Sequence, residues 1–292
     1  MKIPRNTIFG ALFLMALQAS TSAATLYWDG GTVNLTGTGN AASNPAANGT
    51  WDSGTIRNWD PEPSGSAFVA WSNSFADTAV FAGTARAVTV SGTVQVGTVS
   101  VSSSNYVFNT GTLAFSAGSI NVNATTNVAF NSALSGSLVF NATGNTTNTA
   151  QAGGIGTVSA NNTALTSFEL NTNGLGNQLL VSNAGSLGPA GSTVKITRGI
   201  VGLSASANTT YNAWSTNFAG GILRLRIVGT STYAGNGTLT ANTEFASIAA
   251  ANLAYSGNLA LGTHTLTLAP TSSTGAVTIL SIQAKPPIAW WI

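Results

Sequence analysis

Between Asp77 and Asn123 the sequence repeats one pattern: aliphatic residues separated by small polar ones, broken at short intervals by glycine. Val88, Val90, Val94, Val96, Val99, Val101, Val107, Leu113 and Phe115 fall mostly at alternate positions, with Thr, Ser and Gln in the gaps. A period of two puts such side chains on one face of an extended chain, so the stretch predicts a run of half-buried strands. Gly92, Gly97, Gly111 and Gly118 mark the corners, where turns need backbone freedom or a small residue. No charged residue follows Arg86 until Glu169, so this region supplies strands and corners but no candidate catalytic group.

The pattern returns further along. Gly111-Thr-Leu-Ala-Phe115, Gly136-Ser-Leu-Val-Phe140, Gly221-Ile-Leu-Arg-Leu225, Gly237-Thr-Leu-Thr240 and Gly257-Asn-Leu-Ala-Leu261 form an imperfect series. Several are separated by about one solenoid turn, for which repeats of roughly 20 residues or more are expected. Asn48-Gly49, Gly144-Asn145 and Asn236-Gly237 supply turns, and 141–156 and 205–212 read as mobile loops. Charged residues make up only 5% of the chain, against about 25% in an average globular protein. That suits a solenoid or fibre better than an enzyme. Disorder fits poorly, because β-branched and aliphatic residues recur at strand spacing throughout.

Strands this short cannot each bury an inner face alone, so the expected fold is all-β: a parallel β-helix (β-solenoid) with an aromatic-rich N-terminal cap. An antiparallel sandwich or up-and-down barrel is the competing architecture, since both also use alternating strands and Gly-rich turns. Helix should be nearly absent; beyond the first residues only Ser247 to Leu253 offers a short, Ala-rich candidate. The strand expected at Gly262 to Leu268 places Leu266 and Leu268 on one face. There is no cysteine, so no disulfide staples the fold.

Four segments follow from this pattern. Residues 1–24, with Lys2 and Arg5, the apolar run Ile8 to Leu17 and small residues from Ala19 to Ala24, read as a secretory signal peptide cleaved after Ala23 or Ala24. Its apolar run is too short for a membrane span, which needs about 20 residues, and no later stretch of the mature chain offers a transmembrane segment. Removing Lys2 and Arg5 lowers the nine basic residues to seven, matching the seven acidic ones, so a nucleic-acid partner has no electrostatic footprint. Residues 25–81 form the cap region, 82–282 the solenoid repeats and 283–292 an irregular tail, Gln-Ala-Lys-Pro-Pro-Ile-Ala-Trp-Trp-Ile. That tail lacks a closing polar turn and suggests a chain cut from something longer.

The cap region is chemically the densest. It holds Trp28, Trp51, Trp59 and Trp71 and all four Asp residues, Asp29, Asp52, Asp60 and Asp77. A solenoid exposes the apolar edge of its first rung unless an atypical segment covers it, and that capping role is the favoured reading. The rival is a carbohydrate site in which Trp51, Trp59 and Trp71 stack sugars while Asp52 and Asp60 bind or cleave them, paired carboxylates being what glycoside hydrolysis needs. Against cleavage, Asp29-Gly30 and Asp60-Pro61 are ordinary turn signals. The single histidine, His264, lies between threonines with no Gly-x-Ser-x-Gly elbow anywhere, so it reads as structural. One His and no Cys cannot complete a zinc shell, and no Asp-x-Asp-x-Asp loop offers a calcium site, so neither metal nor cofactor is expected. Arg224 and Arg226 read as a solvated face opposite Leu223 and Leu225.

Taken together, Leu26-Tyr-Trp-Asp-Gly-Gly31, Gly49-Thr-Trp51, Asn58-Trp59, Asp77-Thr-Ala-Val-Phe81 and the strands from Val88 to Phe108 resemble the passenger regions of bacterial autotransporter-like proteins built from autotransporter-associated β-strand repeats. The later Gly-x-Leu rungs resemble the repeat itself, so the resemblance covers most of the mature chain. It implies a parallel β-helix carried to the cell exterior. Members usually continue through more repeats into an outer-membrane barrel or sorting segment, and neither occurs in this sequence. The function expected is that of an exported, non-enzymatic β-helical protein, structural or adhesive at the cell surface or in the extracellular matrix. Its expected partners are surface glycans or other extracellular polymers.

Overall fold

The computed structural model describes residues 23–62, 64–123, 127–143, 154–172, 177–226, 229–248, 250–270 and 275–283. Residues 1–22 of the segment expected at 1–24 as a signal peptide, part of the loop expected at 141–156 and the tail from 284 lie outside the described residues.

Successive strands stack in register and build two sheets, one 16-stranded and one 10-stranded. Among the described residues no helix occurs. Five strands bound the cap region: β1 (Thr25–Trp28), β2 (Gly49–Trp51), β3 (Arg57–Pro61), β4 (Val69–Ala70) and β5 (Thr78–Phe81). β1 pairs parallel with β5 and antiparallel with β3, which pairs antiparallel with β4. All other strand pairings among the described residues are parallel, as in the long rungs Thr112–Val122 on Ala133–Ala142. The chain is therefore a β-solenoid and not a set of hairpins.

The alternating valines explain the stack. Val88, Val90, Val99 and Val101 are at most 1% exposed, while Thr89 between them faces out. In the larger sheet one inward column runs Leu26, Ala79, Val99, Ile120, Phe140, Leu170, Ile196, Phe218 and Leu239, each in register with the next. In the smaller sheet Val88, Phe108, Phe130, Val158, Val181, Leu203 and Leu225 form another. Neighbouring rungs lie about 4.8 Å apart, so each buried side chain meets its counterparts above and below, and burial of apolar area supplies the main stabilising term. Phe108 and Phe130 stack with ring centroids 4.9 Å apart and planes only 2° apart.

Outward positions carry amides and hydroxyls in matching ladders. Asn141 Nδ2 donates to Asn121 Oδ1 at 2.8 Å, and Asn131 Nδ2 donates to Asn109 Oδ1 at 2.9 Å. The long rungs bend where the register shifts at Gly136, whose φ is +83°; a β-carbon there would stand 1.8 Å from Phe115 O. Only glycine fits this bend.

Three local expectations are corrected. Gly262 to Leu268 is not one strand: Gly262 takes a φ of +59°, His264 N donates to Leu261 O at 3.1 Å, and the strand begins only at Leu266, ending at Pro270. The turn that glycine permits overrides the Thr/Leu alternation. Ser247 to Leu253 joins the strands Thr243–Ser247 and Ala251–Ala260, because Leu253 is needed in an inward column beside Val277. Arg224 is only 8% exposed and lies 3.7 Å from Glu244, so its face is covered and not solvated.

Candidate functional site

Tryptophans at alternate strand positions decide the geometry of the cap. Trp28 and Trp51 end β1 and β2 as inward residues, Trp59 sits within β3, and Trp71 follows β4. The antiparallel turn of β1 onto β3 places Trp59 beside Trp28 and folds the chain across the end of the solenoid. The four rings pack on one another with centroids 4.8 to 5.2 Å apart, and Phe81 passes the contact on to Tyr106 and Phe108. Trp28, Trp51 and Trp59 are 0% exposed and Trp71 is 1% exposed. Trp71 Nε1 donates to Gln95 O at 2.9 Å. Cap and coils share one continuous core.

The carboxylates tie the loops down over these rings. Asp60, fully buried, accepts from Asn40 N at 2.6 Å and Ala42 N at 3.4 Å and so anchors the long connection between β1 and β2. Asp77, 3% exposed, accepts from Ala24 N at 2.8 Å and from Ser72 Oγ. Asp29 accepts from Asn44 N at 2.8 Å. Burial pushes its carboxyl above the ordinary range, partly offset by that N–H donor. Asp52 is half-buried and accepts from Thr55 N and Ile56 N, both at 3.2 Å, and from Thr55 Oγ1, which closes a local side-chain-to-backbone loop. Asn58 Nδ2 and Arg86 complete the fastening through carbonyls of Thr50, Pro45 and Ala46.

This arrangement bears directly on the carbohydrate reading of Trp51, Trp59, Trp71, Asp52 and Asp60. The structure brings all five into one region but turns the three rings and the Asp60 carboxylate inward, leaving only Asp52 partly at the surface. A ring without a solvent face has nothing to stack a sugar on, so the platform expected from these tryptophans is not formed by them. The cause is their strand position, where burying a large aromatic side chain outweighs leaving it for a ligand. Among the described residues no three of His, Cys, Asp and Glu stand close enough to hold a metal ion.

A feature not anticipated from the sequence lies on the outer face of the larger sheet. Where consecutive rungs bend, a groove of about 650 Å³ runs past Phe75, Gly97, Thr98, Ser116, Ser119 and Asn141. It meets a second of about 520 Å³ that shares Asn141 and reaches Asn171 and Arg198. The shared row is a register row: Asn121, Asn141, Asn171 and Arg198 follow one another across the rungs. Phe75, 42% exposed, is the aromatic ring at one end. The 21-residue separation of Gly97 and Gly118, which face each other across the rungs, is the signal that could have revealed the groove.

No family model, no curated protein and no solved structure matches this chain.

Proposed function

We propose that this chain is an exported β-helical element of the autotransporter passenger type, non-enzymatic, and structural or adhesive at the bacterial surface or in the extracellular matrix. The observation that carries the reading is the use of the cap's carboxylates: Asp29, Asp52, Asp60 and Asp77 each accept hydrogen bonds from backbone N–H groups. Groups held this way fasten loops and are poorly placed to exchange protons with a substrate. The outer faces add amide and hydroxyl ladders with little charge, a surface suited to lying against neutral polymers. The signal-like first residues support export. The test is to incubate the exported protein with a panel of polysaccharides and follow both retention and chain cleavage. Retention without new chain ends supports the proposal; cleavage that disappears in Asp52→Asn overturns it.

One observation favours a more specific reading, carbohydrate binding, with the site moved from the buried tryptophans to the groove beside Phe75. An exposed ring next to Thr98, Ser116, Ser119 and Asn141 offers both an apolar face and hydroxyl or amide partners. Glycan-array binding should then fall in Phe75→Ala while the fold is retained.

A further inference from the structure

The groove beside Phe75 crosses many rungs. Gly97 and Gly118 follow Phe75 on successive turns: a β-carbon on Gly97 would stand 2.4 Å from Phe75 O, and one on Gly118 2.3 Å from Gly97 O. Backbone therefore stacks on backbone there, and no side chain rises from the floor. From Gly118 the register passes to Leu138, Phe168 and Val194. Five rung steps of about 4.8 Å thus separate Phe75 from the rung of Arg198, a run of roughly 24 Å across the strands. Asn141 lines both volumes and joins them into one trough.

Most of the trough is neutral. Thr98, Ser116 and Ser119 give way to the amide row Asn121, Asn141 and Asn171. The ladder bond from Asn141 Nδ2 to Asn121 Oδ1 uses one donor and one acceptor position, leaving Asn121 Nδ2 and Asn141 Oδ1 for other partners. The strands that carry the trough, Thr98–Val101, Thr112–Val122, Ala133–Ala142, Ala164–Thr172 and Thr193–Arg198, hold three charged residues, Glu169, Lys195 and Arg198. Glu169 accepts from Lys195 Nζ at 3.0 Å and from Thr197 Oγ1 at 2.5 Å, so these two charges compensate each other. Arg198 is exposed and meets no carboxylate among the described residues. It lines the trough at the end opposite Phe75.

We propose that the trough holds an extended acidic polysaccharide lying across the rungs, with a sugar face on Phe75, neutral sugars along the amide row and one uronate carboxylate on Arg198. The inference rests on the groove reading given above and adds the class of polymer and its span. A guanidinium takes a carboxylate through two parallel N–H donors, and amides and hydroxyls suit sugar hydroxyls. One uncompensated cation over roughly 24 Å matches a chain whose charges are sparse. Nucleic acid, with a phosphate on every nucleotide, would leave most of its charge unmatched.

Titration calorimetry of the exported chain tests this with fragments of gellan, a linear polysaccharide carrying a single uronate in each repeat of otherwise neutral sugars, before and after carboxyl reduction. The native chain should bind the acidic fragments about fivefold more tightly than the reduced ones, the upper end for an exposed ion pair, and added salt should shrink the difference. Arg198→Gln should bind both forms equally, at the level of the reduced fragments. Phe75→Ala should weaken both forms alike, with circular dichroism unchanged in each variant. Equal binding of the two forms by the native chain, or a preference that survives Arg198→Gln, overturns the uronate assignment and leaves the groove reading standing. Binding of neither form, or binding of both that Phe75→Ala leaves unchanged, overturns the two together.

Discussion

The backbone of Gly39 lies so close to the carboxylate of Asp60 that a β-carbon added to the glycine would stand 1.7 Å from Oδ1. Asp60 is fully buried, and its other oxygen holds Asn40 N and Ala42 N, so neither partner has room to withdraw. Gly39→Ala is therefore expected to push the loop off its anchor and cost about 1–3 kcal/mol, the usual range for overpacking a filled site. Asp60→Ala should cost a similar amount, about 1–3 kcal/mol, by releasing the part-buried N–H groups of Asn40 and Ala42. Chemical denaturation of both variants checks this, and a stability unchanged in both would show that the loop is not held there.

Trp51→Ala separates a packing role from a binding role. The ring contacts Trp59, Trp71 and Phe81 with centroids 5.1 to 5.5 Å apart and has no exposed surface. Truncation should cost about 3–5 kcal/mol, as for other buried aromatics. Loss of glycan binding with undiminished stability would contradict its place in the core.

The tyrosines set an alkaline limit. Burial raises the phenols of Tyr106 and Tyr211 to about 12, and raises those of Tyr233 and Tyr255 as well. In the unfolded chain the same groups ionise near the ordinary value of about 10. The folded state then binds more protons than the unfolded one, so the stabilising contribution is complete below pH ~10 and is lost as pH rises toward 12. Denaturation midpoints should fall steeply across that window, and phenolate absorbance should appear together with unfolding. Ionisation of all tyrosines near the ordinary value with the fold intact would contradict the burial.

How far the sequence could be read follows from which signals are local. Val88 to Val101 alternate so regularly that a strand stack follows from pattern alone, whereas the recurring Gly-x-Leu segments do not lie on one another: Leu113 is in register with Leu134, and Leu138 of the next such segment with Gly118. The tryptophans were legible first as a cap and second as a sugar platform, because inward and outward aromatics look alike until β1 turns back on β3. Arg224 misled for a related reason: Glu244 on the next rung covers it, and that neighbour is set by register. The groove beside Phe75 was hidden because its walls come from several rungs and its floor is glycine and serine, which read locally as turns.

The parallel stack itself can be tested through a pair of outward asparagines. Asn121 and Asn141 are register partners on neighbouring rungs with their side chains hydrogen-bonded at 2.8 Å, and the next rung carries Asn171. The chain has no native cysteine, so introduced pairs report without interference. Rungs about 4.8 Å apart fall within the span a disulfide bridges, roughly 4.4–6.8 Å between Cα atoms, whereas two rungs exceed it. The account predicts that Asn121→Cys with Asn141→Cys crosslinks readily under mild oxidation while Asn121→Cys with Asn171→Cys does not. The absence of a crosslink in the first pair, or equal crosslinking in both, would contradict the parallel solenoid.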